Sequence, residues 1–153
     1  MARSATTQFS YATRFGTITI AADGNGITRL VLGDVDLGYP IAASALTNRA
    51  ATQVQEYFAG KRRTFDVPLN PEGSSFQKAV LTALCDLPYG QEASAAQIAE
   101  AIGKPGSHRS VGTAINRNPI AIIVPSHRVV PHGHTRDEKL LRALLSFEEK
   151  NEG

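Results

Sequence analysis

The residues best suited to chemistry in this chain are neighbours, a serine and a histidine within the tetrapeptide Pro125-Ser126-His127-Arg128. A histidine within reach of a serine hydroxyl can act as its general base, a pairing that serves attack at acyl carbonyls. The competing interpretation is a core histidine whose ring nitrogens are satisfied locally. Glu148, in a Glu148-Glu149 pair near the C-terminus, reads on its residues alone as a solvated helix end.

Two further histidines, His132 and His134, flank a glycine and suggest a metal site. Two imidazoles without a nearby third ligand make a weak zinc site, because zinc in proteins takes three or four protein ligands. The sequence therefore predicts no bound metal and no other cofactor.

Charge is distributed unevenly along the chain, although the formal net charge is only +2. Residues 101 to 136 contain no Asp or Glu, yet all four histidines and five cations fall there. The cations are Lys104, Arg109, Arg117, Arg128 and Arg136. A polyanion would meet positive charge in this window without local repulsion, so it could hold a phosphate backbone. A solvated basic face explains the charges equally well at this stage.

The length and composition are those of an ordinary globular protein. With 153 residues, 42% of them apolar, the chain can bury a core as one unit or as two small lobes. It contains no apolar run long enough to span a bilayer and no secretory pattern at the N-terminus, so we expect a cytoplasmic monomer without membrane contact. The only cysteine, Cys85, excludes a disulfide framework and is predicted to be a small core residue.

The N-terminal part predicts a β-ribbon covered by a helix. Residues 11–22 and 27–33 are rich in β-branched residues and flank a hairpin turn, Asp23-Gly24-Asn25-Gly26. Residues 42–59 have apolar positions every four residues, which predicts a helix ended by Gly60. Alternation over 63–69 predicts a further strand. Because a turn-rich break follows, we expect one lobe over residues 1–70 and a second over 71–153.

The second part is helical, with clear breaks. Helices are predicted over residues 75–87, 94–102 and 107–116, with Ser94 and Ser107 as N-caps. The last two are joined by a short connector, the layout of a helix-turn-helix, although an ordinary helical hairpin would look similar. The second of them has small residues that would let it approach a groove or pack tightly against another helix. These are Ser110, Gly112, Thr113 and Ala114.

The chain then predicts a buried segment and a final helix. Residues 120–125 form an apolar run too short for a typical helix and ended by Pro125, which indicates a strand-like segment leading to Ser126. Residues 136–150 predict an amphipathic helix. Its inner side would carry Leu140, Leu141, Leu144, Leu145 and Phe147.

The thirteen residues from 118 to 130, Asn-Pro-Ile-Ala-Ile-Ile-Val-Pro-Ser-His-Arg-Val-Val, resemble the O6-alkylguanine-DNA alkyltransferase family. That family's motif is Pro-Cys-His-Arg-Val after an Asn-Pro and an apolar run. Supporting matches are Phe76-Gln77, Pro88-Tyr89-Gly90 and Arg109-Ser110-Val111-Gly112, so the resemblance extends over nearly the whole chain. It implies an α/β (α+β) fold with two lobes, a ribonuclease-H-like N-terminal lobe and a winged-helix-like helix-turn-helix lobe. The second lobe would enter the minor groove and flip a damaged nucleotide into a pocket.

The resemblance also implies roles for individual residues. Ser126 occupies the acceptor position, and His127 and Glu148 resemble the pair that activates the acceptor thiol through water. Asn118 resembles the hinge asparagine, and Arg109 resembles the arginine that fills the gap left by the flipped base. The predicted DNA-binding residues are Arg109, Ser110, Gly112, Ala114, Arg117 and Arg128.

Ser126 is the chemical exception in the motif. Direct alkyl transfer needs a soft nucleophile that ionises near neutral pH, as a thiol can and a serine hydroxyl cannot. A methyl or benzyl carbon also offers no oxyanion for the protein to stabilise, unlike an acyl group. We therefore expect irreversible alkyl acceptance to be lost or very slow.

Two other positions depart from the family. Ala95 stands where a tyrosine usually begins the first helix of the helix-turn-helix, and residues 131–135 are shorter than the usual glycine-rich loop that walls the alkyl pocket. These extra losses favour a naturally divergent relative over an engineered Cys→Ser trap. Alkyltransferase-like proteins are a precedent, since they lack the acceptor cysteine, bind lesions and pass them to other repair proteins. They commonly carry tryptophan at that position and often lack the N-terminal lobe, so this chain differs from them as well.

Three functions therefore remain open from the sequence. The first is a non-catalytic protein that binds double-stranded DNA with O6-alkylguanine lesions and engages other repair proteins. The second is an alkyltransferase whose cysteine has been replaced. The third is a hydrolase-like or protein-interaction module that has lost DNA binding and uses Ser126, His127 and Glu148 or simply its surface.

Overall fold

The computed structural model describes residues 5–132 and 138–152 of the chain. They divide into two units. The first runs to Glu72 and also includes Pro119–Ile123, and the second contains Gly73–Asn118 and the chain from Val124 onward. Sequence reasoning placed residues 119–123 in the second lobe, so their return to the first unit was missed. None of the helices in the described part has the length and apolar character needed to cross a membrane.

The first unit contains an antiparallel sheet of three strands in the order β1 (Thr7–Thr13), β2 (Gly16–Ala22) and β3 (Ile27–Leu32). The prediction of a single strand over 11–22 is wrong, because the chain reverses at Arg14-Phe15, immediately before Gly16 at a φ of 114°. The predicted turn between β2 and β3 is confirmed. There the Asp23 carboxylate accepts hydrogen bonds from the backbone of Asn25 at 2.8 Å and of Gly26 at 3.1 Å.

Helix α1 (Ala45–Phe58) is confirmed within the predicted range. Ser44 caps its first turn through a reciprocal pair of hydrogen bonds with Thr47, and Ala50, Val54 and Phe58 are buried at the predicted spacing of four.

The strand predicted over 63–69 is wrong. The structure has only an isolated bridge between Ile27 and Leu69, beside a hydrogen bond from the Ile27 amide to the Pro68 carbonyl at 2.8 Å. Proline has no amide proton to continue a ladder. The backbone of Gly26 approaches so closely here that a Cβ would lie 2.7 Å from the Pro68 oxygen.

The apolar run predicted as a strand-like segment over 120–125 also differs from the prediction. The Leu30 backbone pairs with it twice, donating to Pro119 at 2.9 Å and accepting from Ala121 at 3.1 Å. The chain then turns at Ile122, which has a φ of 73° and is 2% exposed. The segment is buried as predicted, but it forms one bridge followed by a turn.

The second unit contains helices α2 (Ser75–Cys85), α3 (Ala95–Ala101), α4 (His108–Asn116) and α5 (Glu138–Glu152). Ser94 is confirmed as an N-cap, since its side chain accepts a hydrogen bond from the Gln97 backbone amide. In return, the Gln97 side-chain oxygen accepts one from the Ser94 backbone amide. Ser107 is not a side-chain cap, and its hydroxyl donates to the Lys104 carbonyl at 2.6 Å instead.

The apolar face predicted for the last helix is largely confirmed. Leu144 and Leu145 are 4% and 6% exposed, and the other three predicted inner residues are half-buried. Cys85 was predicted to be a core residue, and this is wrong: it is the last residue of α2 and is exposed.

Candidate functional site

Ser126 begins a short 3-10 turn, Ser126–Arg128, and is 6% exposed. The turn is closed by the Arg128 amide, which donates to the Pro125 carbonyl at 3.1 Å. Residues on its C-terminal side pair with Ala93, whose amide donates to the Arg128 carbonyl at 2.9 Å and whose carbonyl accepts from Val130 at 2.8 Å. The backbone that carries Ser126 and His127 is therefore held by hydrogen bonds at both ends.

Asn118, which the resemblance assigned to the hinge, lies beside Ser126. Its side-chain amide nitrogen donates to the Ser126 hydroxyl oxygen at 3.1 Å and to the Val124 carbonyl at 2.8 Å. The first bond fixes the hydroxyl as an acceptor from Asn118. An amide donor in this position would also stabilise negative charge developing on the acceptor atom.

His127 and Glu148 form a fully buried pair. Both side chains are 0% exposed, and Nε2 of His127 lies 2.5 Å from Oε2 of Glu148. Burial lowers the pKa of His127, and the hydrogen bond and charge of Glu148 only partly oppose this effect. The ring is therefore neutral at neutral pH. Because a carboxylate only accepts, the ring proton lies on Nε2, and Nδ1 is left as the basic nitrogen.

Arg128 completes this buried network, which we call the His127–Glu148–Arg128 network. Its guanidinium contacts both Glu148 oxygens, at 2.7 Å and 3.0 Å, and donates to the Leu87 carbonyl at 2.7 Å. Arg128 is only 6% exposed. The prediction that Arg128 binds DNA is corrected here, because its donors are directed at a buried carboxylate and a carbonyl.

The Pro88-Tyr89-Gly90 motif supports the same network. The Gly90 amide donates to Oε1 of Glu148 at 3.0 Å, and the Tyr89 ring lies 5.6 Å from the Arg128 guanidinium carbon. The Tyr89 hydroxyl accepts from Asn151 at 3.1 Å. From the sequence, this motif was identified only as a family match. The contacts of Gly90 and Asn151 were not predicted.

Only one member of the histidine pair suggested as a metal site, His132, is among the described residues. Nε2 of His132 donates to the His127 carbonyl at 2.8 Å, so this ring supports the turn. His134 lies outside the described residues. Among residues 5–132 and 138–152, no group of three or more potential ligand side chains could hold a metal ion.

Helix α4 presents the predicted basic surface, which we call the basic face. Exposed residues recur at helical spacing: His108, Arg109, Ser110, Thr113, Asn116 and Arg117. Gly112 is half-buried, and a Cβ built on it would meet nothing within 4 Å. Ala114 is only 7% exposed, so its prediction as a DNA contact is corrected: its side chain is on the inner side of the helix with Val111 and Ile115.

Cys85 does not offer a reactive thiol. Partial burial of its thiol, and then the Asp86 carboxylate beside it, raise the pKa of Cys85 despite the opposing charge of Arg128. A thiol with a raised pKa has little thiolate at neutral pH and is a poor nucleophile.

The arrangement therefore combines an exposed cationic helix with a hydrogen-bonded turn that carries Ser126. The neutral imidazole of His127 has the protonation state of a general base, and the buried carboxylate fixes its tautomer. The residue at the acceptor position offers a hydroxyl, whereas the remaining contacts would suit an ionised atom.

Comparisons with known proteins give matches that cover both units. The family model described as the 6-O-methylguanine DNA methyltransferase DNA binding domain matches residues 75–149, and the corresponding ribonuclease-like domain matches residues 9–71. The methylated-DNA–protein-cysteine methyltransferase of Methanosarcina barkeri is 40% identical over 146 residues, 89% of this chain and 92% of its own. The constitutive protein of that name from Bacillus subtilis is 40% identical over 126 residues, 77% of this chain and 76% of its own.

Solved structures give the same result. Mycobacterium tuberculosis O6-methylguanine methyltransferase has a TM-score of 0.86 and 35% identity, covering 95% of this chain and 94% of its own. Mycobacterium tuberculosis OGT in complex with DNA also has a TM-score of 0.86, at 36% identity with the same coverage. The expected fold, a ribonuclease-like domain followed by a DNA-binding domain, is confirmed.

Proposed function

This chain belongs to the 6-O-methylguanine DNA methyltransferase family, and we propose that it binds double-stranded DNA containing O6-alkylguanine without accepting the alkyl group. The observation that carries the proposal is Ser126, a hydroxyl at the acceptor position of a site whose neighbours Asn118, His127 and Glu148 are all in place. The protein would hold the lesion for other repair factors.

The basic face of α4 is the proposed DNA contact. Its two arginines, Arg109 and Arg117, are exposed, and no acidic residue lies in α4 or between it and Ser126. Arg109 is proposed to enter the minor groove and occupy the space of a flipped nucleotide. The DNA complex of the similar Mycobacterium tuberculosis protein supports a DNA partner.

The proposed loss of transfer follows from the atoms at the acceptor position. In transfer, a bond forms between the acceptor atom and the alkyl carbon while the bond from that carbon to guanine O6 breaks. A thiol begins from a pKa of about 8.5 and can lose its proton to a nearby base, whereas a serine hydroxyl is a much weaker acid. A neutral imidazole such as His127 cannot hold a useful fraction of Ser126 as alkoxide. The hydroxyl would therefore contact the alkyl group without attacking it.

The direct test is the affinity for matched duplexes that differ only in one O6-methylguanine. The proposal expects tighter binding to the lesion duplex and no covalent alkyl adduct on Ser126 by mass spectrometry. Equal affinities for the two duplexes would remove lesion recognition. An adduct on Ser126 would remove the claim that transfer is lost.

A second candidate function is alkyl transfer itself, disabled here only by a cysteine-to-serine replacement. It is favoured by the His127–Glu148 pair, which is intact next to position 126 in the chain and which the resemblance assigns to activation of an acceptor thiol. Ser126→Cys should then label covalently with a benzylguanine substrate. Both proteins are tested in a Cys85→Ser background, so that any label reports position 126. Labelling would support the second candidate, and lesion binding without labelling would support the first.

A further inference from the structure

The second unit contains a groove away from the acceptor turn, lined by α2, α3 and the loop that connects them. Its volume is about 760 Å³, within the range of roughly 300–1,000 Å³ that is typical of ligand pockets. Leu87 and Ile102, both half-buried, contribute apolar surface, and Ala83 and Ala101 add only small side chains. Neither Ser126 nor any residue of α4 is among its described lining residues. Leu87 and Ala93 belong both to this lining and, through their backbones, to the contacts of Arg128.

The charge of the groove is opposite to that of α4. Asp86 and Glu92 line it, both exposed, and its described lining includes no lysine or arginine. The remaining polar lining residues are neutral, among them Gln91 and Gln97. A phosphate backbone would be repelled here, whereas a cationic partner with an apolar side would find both a counter-charge and a surface to bury.

We infer that this groove docks a short amphipathic helix of another protein, with leucine-like side chains on one face and lysine or arginine beside them. The groove is open and lies between two helices, a setting that suits the binding mode in which apolar residues at successive turns enter a groove. The carboxylates of Asp86 and Glu92 at the groove set the required charge of the partner. The inference does not depend on the proposed function, because it uses none of the residues assigned to DNA or to the lesion.

The groove and the basic face are formed by different helices of the second unit. A partner in the groove leaves Arg109 and Arg117 exposed, so the peptide and a DNA duplex should bind at the same time. The protein would then connect a DNA-bound state to a second protein through residues on different helices of one unit.

The test is selection of a displayed library of peptides of about 14 residues, roughly four helical turns, against the full-length protein. Selected peptides are then synthesised and their affinities measured by fluorescence anisotropy. Enriched sequences should carry apolar residues at helical spacing with lysine or arginine beside them. Ala101→Arg, which fills the groove from an exposed position, should weaken binding roughly tenfold or more.

The matched control is Ala96→Arg, an exposed alanine of the same helix that does not line the groove, and it should leave the affinity unchanged. Glu92→Lys should also weaken binding, whereas Glu72→Lys, exposed in the first unit, should not. The inference is overturned if no helical basic peptide is enriched, if acidic peptides are enriched instead, or if Ala101→Arg and Ala96→Arg bind equally. It is also overturned if sedimentation shows that a second copy of this chain occupies the groove, with dimerisation lost in Ala101→Arg.

Discussion

Arg128 and Arg109 lie in the same acid-free window of the sequence, yet the structure uses them in opposite ways. Arg128 is 6% exposed and bonded to both oxygens of Glu148, whereas Arg109 is exposed on the basic face of α4. The difference comes from a carboxylate twenty residues further along the chain, on α5. A carboxylate distant in sequence therefore decides whether an arginine is buried or stays exposed to bind a ligand. The charge pattern around the arginine does not reveal that carboxylate.

The two regions also differ in the energy at stake. A buried ion pair is weak evidence of net stabilisation, but removing one partner leaves a charge without compensation in a low-dielectric interior. Exposed arginines contribute little to folding and remain available to phosphates. Mutations in the buried network should therefore act on stability, and mutations on the basic face should act on DNA binding.

The largest effect is expected for Glu148→Gln. The substitution keeps the shape but leaves the Arg128 guanidinium buried without its counter-charge, so the free energy of unfolding should fall by about 3–5 kcal/mol. Urea denaturation measures the change. Glu149→Gln, at the exposed neighbouring position, is the matched control and should change stability by no more than about 0.5 kcal/mol. Similar losses in the two variants would contradict the assigned role of the network.

The basic face should show the reverse behaviour. Arg117→Ala is expected to weaken binding to all duplexes alike and to reduce the salt dependence by about one unit of slope. Arg109→Ala should instead reduce the preference for a lesion duplex, because its proposed place is the gap left by the flipped base. Affinity measurements over a salt series distinguish them, with Lys78→Ala on α2 as the control. A large loss of folding stability in either arginine variant would contradict the expectation that the basic face acts on DNA binding alone.

The serines that precede α3 and α4 differ in whether their side chains cap the helix. Ser94→Ala removes a side-chain cap and should cost about 1 kcal/mol of stability, measured by thermal or urea unfolding. Ser107→Ala removes a hydroxyl that makes no cap bond to α4, so a change within about 0.5 kcal/mol is expected. Equal losses would mean that the start of the basic helix is held more tightly than its hydrogen bonds indicate.

The smallest expected effect is a difference in pH dependence. Because burial lowers the pKa of His127 below its ordinary value of about 6.5, the unfolded chain binds a proton there before the folded protein does. This contribution to stability is complete above about pH 6.5 and is lost as the pH falls toward the folded pKa. Unfolding free energies measured between about pH 7 and pH 5 should therefore fall more steeply for the unmodified protein than for His127→Gln. Parallel curves would contradict the lowered pKa.

Much of the fold was predictable because it depends on local signals. The spacing of Ala50, Val54 and Phe58 fixes the buried side of α1, and the Ser94–Gln97 pair fixes the start of α3. The family was identifiable from the motif at residues 118–130. These features involve residues within a few positions of one another, where sequence pattern and structure are directly related.

Two of the errors come from contacts between distant residues. The burial of Arg128 depends on Glu148 and on the Leu87 carbonyl, and the irregular backbone at 63–69 depends on Pro68 facing Ile27. The immediate neighbours of these residues encode neither outcome. The error at Cys85 has a local cause: this residue follows Leu81 by four positions and so matches the apolar spacing, but α2 ends there and its side chain is exposed.

Ile122 adds a consequence for the acceptor turn. A β-branched residue at a φ of 73° is unusual, and the left-handed conformation costs roughly 1–2 kcal/mol per residue. The conformation persists because the side chain is 2% exposed, and truncating a buried isoleucine to alanine typically costs about 2–5 kcal/mol. Burial of the Ile122 side chain, four positions before Ser126, therefore holds the backbone in a left-handed conformation that isoleucine otherwise disfavours. A variant that carries cysteine at position 126 should therefore keep Ile122 unchanged.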